Sequence, residues 1–196
     1  MKFSRAAMAV CLSVLVALSM TAQSRAVTVY NTDTNTWEEK VVTTPRRGGS
    51  PIKKELVDYV TNYKVGTIVV ETGERRLYLV LEDGKALRYG IGVGRDGFTW
   101  SGTHRITRKA EWPGWTPPAA MRKRVPDLPA YMPGGPENPL GARALYIGST
   151  LYRVHGTSEP WSIGQAVSSG CIRLTNDDVA DLYERVKVGA TIVVNH

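Results

Sequence analysis

The chain has 196 residues, 42% of them apolar and 22% charged, with a formal net charge of +7 and two cysteines. That length fits one domain plus a tail, with a core large enough to need no disulfide staples. No Lys/Arg-rich run with interleaved aromatics occurs, which argues against nucleic acid as a partner.

Lys2 and Arg5 lead into an uncharged apolar run at 6–20, and residues 24–26 read Ser-Arg-Ala. A basic start, an apolar run and a small-x-small exit predict a signal peptide over 1–26, and export to the periplasm or cell envelope. The run is shorter than the roughly 20 residues of a spanning helix, so no membrane span is expected after processing. Cleavage removes Lys2, Arg5, Arg25 and Cys11, which leaves a net charge of +4 and Cys171 as the sole thiol. Exported cysteines usually pair, so one left alone points to dimerisation or chemistry.

Residues 27–63 are expected to be a tail or linker, polar and Thr-rich up to Pro51. Apolar positions 52, 56, 57, 60 and 63 suggest a short helix or docking arm at its end. A folded domain is expected over 64–196. From Gly66 short runs rich in Val, Ile, Leu and Tyr alternate with turn signals, and Glu82-Asp83-Gly84-Lys85 predicts a tight hairpin. Gly90, Gly92 and Gly94 lack the helix and spacing of a phosphate loop and mark a bulge or close backbone approach. Residues 95–141 hold Trp100, Trp112 and Trp115 and eight prolines, and read as a long ordered loop, a substrate wall or lid. The cluster Met121-Arg-Lys-Arg-Val125 within it reads as a solvated face. Strand texture returns at 142–154. Residues 175–186 look helical, with Thr175 or Asn176 as cap, acidic residues in the first turn and one apolar face. A last strand follows Gly189. The sum is a mainly β fold, a curved sandwich or open barrel with one clear helix after Cys171.

Within 154–174, fifteen residues separate His155 from Cys171, enough for a loop to leave one strand and bring a second alongside. A thiol attacks well only as thiolate, and a nearby imidazole can take its proton and hold a thiolate–imidazolium pair. Gly170 before the thiol permits a tight turn, and the N–H groups of Gly170 and Cys171 are candidate oxyanion donors. The Gly156 carbonyl is a candidate partner for the other nitrogen of His155. Arg173 is placed to favour the thiolate or to bind a substrate carboxylate. His104 and His196 read as structural or surface residues, and no metal site or cofactor is expected from ligands so scattered.

The run H-G-T-x-x-P-x-S-I-G-x-x-x-S-x-G-C-I-R-L at 155–174 strongly resembles the active-site signature of L,D-transpeptidases with the YkuD-type catalytic domain. The resemblance extends over 65–195 and includes N-P-L-G-A-R-A-L-Y at 138–146 and the closing G-A-T-I-V-V. It implies a YkuD-like fold and cleavage of the peptidoglycan stem peptide between its third residue, often meso-diaminopimelate, and the D-alanine that follows it. The acyl group would pass through a thioester to an amine, on another stem peptide or on an envelope protein, or to water in an L,D-carboxypeptidase. Carried over by position, Cys171 is the nucleophile, His155 the general base and acid, and Gly170 with Cys171 the oxyanion donors. Gly156, Ser168, Ser169 and Arg173 fall on supporting positions, and Thr157, Trp112 and Trp115 are the expected substrate contacts. Carbapenem-type inhibitors are implied as further ligands. Many members carry His where this chain has Ser169, which leaves the base to His155 alone. A papain-like peptidase fits less well, because there Cys precedes His. A non-catalytic wall-binding module fits poorly with both reactive residues intact.

Overall fold

The computed structural model describes residues 24–31, 36–43 and 50–196; the apolar run of the expected signal peptide lies outside them. β1 (Ser24–Asn31) and β2 (Thr36–Thr43) pair antiparallel with each other. Two paired strands thus stand within the expected tail or linker, and β1 begins before the expected cleavage point. Val27, Val29 and Tyr30 and the pair Val41-Val42 supply the β-branched and aromatic residues that a Thr-rich, charged composition concealed.

Next come β3 (Glu55–Asp58), β4 (Ile68–Glu71), β5 (Arg76–Val80), β6 (Lys85–Gly90), β7 (Val93–Gly94) and β8 (Gly102–Glu111). A six-residue helix α1 (Ala119–Arg124) precedes β9 (Arg143–Ile147) and β10 (Arg153–His155). A 3-10 turn (Pro160–Ser162), β11 (Ala166–Ser168), β12 (Ile172–Arg173), α2 (Asn176–Arg185) and β13 (Thr191–Asn195) complete the chain. Nine strands form one sheet in the order β12-β10-β9-β8-β13-β4-β5-β6-β3, and β11 pairs with β7 beside it.

The hairpin expected at Asp83-Gly84 joins β5 to β6, and both residues have positive φ (56° and 65°), the turn whose twist suits two strands. A nine-stranded sheet laid flat would be about 40 Å wide. Here Ile68 and Leu77 from one half and Val154 and Ile172 from the other belong to one buried cluster. The sheet therefore curls around its core, as the expected mainly β, curved architecture requires. Each of these side chains contributes roughly 2 kcal/mol by leaving water.

α2 closes the open side with Val179 and Leu182, both 0% exposed. Thr175 caps it, its hydroxyl accepting from Asp178 N–H at 3.1 Å, and Asp177 and Asp178 occupy the first turn. Helix and cap are as expected.

Two expectations fail. Residues 52–63 form no helix; they supply β3, an edge strand against β6, with Val57 and Tyr59 packed on a second small cluster around Tyr78. It is a docking arm, but an extended one. The 95–141 segment is also no single loop, because β8 runs through it and lies between β13 and β9. Of β8 only Ile106 is buried, so hydrogen bonds on both edges rather than an apolar pattern define the strand.

Candidate active site

β10 and β12 run parallel, with Val154 opposite Ile172 and His155 opposite Arg173. Val154 and Ile172 point into the core, so the alternating pleat puts Arg153, His155, Cys171 and Arg173 together on the other face. Cys171 precedes β12 by one residue, in line with Arg153 and two positions from the level of His155. That diagonal is roughly 8 Å between backbone positions, and the Cys171 thiol donates to the Leu151 carbonyl at 3.9 Å.

His155 is 4% exposed. Its Nδ1 lies 2.5 Å from the Gly156 carbonyl oxygen, which can only accept, so the ring's proton sits on Nδ1 and the lone pair on Nε2. Gly156 is thus the residue whose carbonyl orients the ring. Burial pushes the pKa of His155 down to about 3, helped by the Arg173 and Arg153 charges and opposed by the Gly156 and Leu140 carbonyls. Arg173, itself 8% exposed, is tied by Nη1 to Glu159 Oε2 at 3.0 Å, and its Nε has no partner. Glu159 is set by its own loop, where Thr157 Oγ1 accepts from Glu159 N–H at 2.9 Å.

The nucleophile's loop is held at several points. Ser168 Oγ donates to the Cys171 carbonyl at 2.6 Å and accepts from Gly170 N–H at 3.2 Å. Gly170 has φ +102°, and a Cβ there would strike the Tyr152 ring, so both conformation and space demand glycine. Trp100 Nε1 donates to the Gly170 carbonyl at 2.7 Å, while its ring stacks on Tyr152 at 4.6 Å and 1°. Gly92 and Gly94 let the 90–94 segment run close beneath: Gly92 exchanges two backbone hydrogen bonds with Arg173, and Arg95 N–H reaches the Ser168 carbonyl. Burial pushes the Cys171 thiol above its ordinary value, while Arg153 and Arg173 pull it back. A thiol raised and an imidazole lowered both favour the neutral forms over the expected thiolate–imidazolium. Low local polarity penalises both charges.

His155, Gly156, Ser168, Gly170, Cys171 and Arg173 therefore converge. Ser169 is half-buried in the same loop. Two expectations change. Gly170 N–H is occupied by Ser168 and is not open to an oxyanion. Thr157 is 3% exposed with its hydroxyl turned onto its own loop, so it shapes the turn instead of presenting itself to substrate. Trp112, at φ +39° and 45% exposed, donates its backbone N–H to the Ala142 carbonyl, and Trp115 exchanges backbone hydrogen bonds with Met132; these bonds anchor the 112–142 segment and do not involve the indoles. Residue spacing missed Trp100, Tyr152, Arg153 and Glu159. Trp100 reaches a residue seventy positions away, and no local pattern announces that; Arg153 was legible as the residue two before His155 on the same strand face. Among the described residues no group of three or more His, Cys, Asp or Glu could hold a metal ion.

Residues 66–194 match the YkuD family, L,D-transpeptidase catalytic domain. The probable L,D-transpeptidase ErfK/SrfK of Escherichia coli is 43% identical over 136 residues, which are 65% of this chain and 43% of that protein. The chain thus spans less than half the length of that relative. A Brucella melitensis structure bearing the name probable carnitine operon oxidoreductase caia is 42% identical, with TM-score 0.52, over 76% of this chain and 96% of that one. L,D-transpeptidase 3 of Mycobacterium tuberculosis, solved with a faropenem-derived adduct, shares the fold at TM-score 0.52 and 19% identity, over 67% and 60%. With two thirds of its length matched to that domain, and with His155 and Cys171 on one face of two neighbouring parallel strands, this chain belongs to the YkuD family of L,D-transpeptidase catalytic domains.

Proposed function

We propose that this protein is an exported peptidoglycan L,D-transpeptidase with Cys171 as nucleophile. One observation carries the reading: His155, its Nδ1 held by the Gly156 carbonyl, lies across the β10–β12 pairing on the same face as the chain's one described thiol. As Cys171 Sγ attacks the carbonyl of the third stem residue, Nε2 takes the thiol proton, so no thiolate has to persist in water. Charge develops on the carbonyl oxygen beside Cys171 N–H, the nucleophile's own amide, which replaces the two-donor hole expected from Gly170 and Cys171. His155 then gives its proton to the departing D-alanine amine, and a thioester remains. An acceptor amine attacks that thioester, Nε2 takes the amine's proton, and the thiol is released.

Arg153 and Arg173 stabilise negative charge at sulfur while the proton is away. The excess of cations suits work beside an anionic envelope polymer. A strained β-lactam carbonyl offers the same thiol an acyl group, and the mycobacterial structure of the same fold was solved with a faropenem-derived adduct; carbapenem-type compounds are the expected inhibitors.

The test is incubation of the processed protein with defined tetrapeptide muropeptides, resolving products by mass. A thioester on Cys171 and 3→3 dimers support the reading. Tripeptides alone make water the acceptor and the enzyme a carboxypeptidase, and a protein adduct makes an envelope protein the acceptor. Product formation by a folded Cys171→Ala variant would sink the mechanism.

A further inference from the structure

We infer that Trp100 is a positioning residue for acyl transfer: its indole N–H fixes the Gly170–Cys171 peptide so that Cys171 N–H faces the developing oxyanion. The inference rests on the reading of Cys171 as the nucleophile.

In a trans peptide the carbonyl of one residue and the N–H of the next point in opposite directions across one rigid plane. The Gly170 carbonyl accepts from Trp100 Nε1 at 2.7 Å, so Cys171 N–H is aimed away from the indole. The flanking peptide needs such a clamp, because glycine at φ +102° is the residue most able to rotate. Ser168 holds the two neighbouring groups, accepting from Gly170 N–H and donating to the Cys171 carbonyl. It leaves the Gly170 carbonyl and Cys171 N–H, which are the two ends of the peptide plane between them. Trp100 takes the first, and the second remains for substrate.

The indole is itself well fixed. It stacks on Tyr152 with planes 1° apart, and that same Tyr152 ring fills the space a Gly170 side chain would need. Its far edge meets His104 edge-on at 5.5 Å. β8 follows at Gly102, so the ring is delivered by the entry to a strand at the centre of the sheet. A donor on such a support costs little reorganisation when charge appears, which is where oxyanion stabilisation draws its strength.

Trp100→Phe keeps an aromatic ring for Tyr152, smaller than the indole, and removes the donor. Three rates are to be compared with wild type: thioester formation from a tetrapeptide muropeptide in a single turnover, its dependence on substrate concentration, and alkylation of Cys171 by iodoacetamide at the same pH. Alkylation forms an S–C bond with loss of iodide and passes through no oxyanion, so it reads thiol reactivity alone. The expected result is acylation slowed about 10- to 100-fold, by analogy with loss of an oxyanion donor, with KM and alkylation within about twofold. Acylation unchanged, or acylation and alkylation slowed alike, overturns the inference. A second measurement uses the wild-type protein and does not depend on how the variant folds. On formation of a carbapenem acyl adduct the Cys171 amide proton shifts downfield while the Trp100 indole proton stays in place; an unshifted amide overturns the inference. Wild-type protein that forms no thioester sinks the nucleophile assignment instead, and so separates the two failures.

Discussion

His155 on β10 stands directly across a parallel ladder from Arg173 on β12, with about 4.8 Å between their strands. Burial first, and that guanidinium second, make a further positive charge on the imidazole costly. The ring therefore waits as a neutral base through the whole neutral range and is ready to accept a proton without losing one first.

Stability should follow from this. In the unfolded chain His155 protonates near its ordinary value of 6.5, but in the folded protein only near about pH 3. Between those values the unfolded state binds more protons, so stability is complete above about pH 6.5 and declines as pH falls toward 3. His155→Gln cannot take that proton and should flatten the decline between pH 6.5 and 4, measured by denaturant midpoints. Equal slopes for the two proteins would show that His155 is not the titrating group.

The thiol makes the opposite prediction about reactivity. Burial raises Cys171 more than Arg153 and Arg173 lower it. The rate of iodoacetamide alkylation of the free protein should keep climbing through pH 9, with no plateau near neutrality. A plateau below pH 8 would reveal a standing ion pair with His155.

Arg173 and Glu159 form a bridge at 3.0 Å with side chains only 10% and 18% exposed. Glu159→Gln leaves the guanidinium inside without its counter-charge, and should cost on the order of 3 kcal/mol of stability in denaturant unfolding. A loss below about 0.5 kcal/mol would put the pair in the class of exposed bridges.

Ser168 satisfies a donor and an acceptor at once in a site where it is 2% exposed. Ser168→Ala should cost about 1–3 kcal/mol and slow acylation of Cys171. Wild-type acylation in that variant would show that the loop keeps its shape without the hydroxyl.

Much of this was legible in the residues. Asp83-Gly84 announces its turn because few residues accept two positive φ values in succession, and Thr175 with two aspartates announces a helix start for equally local reasons. The reactive pair was legible because thiol, imidazole and glycine sit in one continuous stretch. β3 and β8 were not, since their strand character comes from hydrogen-bonding neighbours far along the chain while their own side chains are largely exposed. Trp100 was hidden for the same reason: what matters about it is a carbonyl at Gly170. The resting charge state was hidden too, because it depends on how closely burial and two arginines surround the pair.

β13 sits between β8 and β4, and among the described residues no other strand joins the four that carry His155 and Cys171 to the four that begin the domain. Its residues are 191–195, so in a chain growing from its N-terminus β4 and β8 have no strand between them until those residues are made, and the Gly92–Arg173 bridge links the two halves at the other side. Closure then requires pairing across more than a hundred residues, Ile192 with Ile68, the kind of distant contact that slows folding.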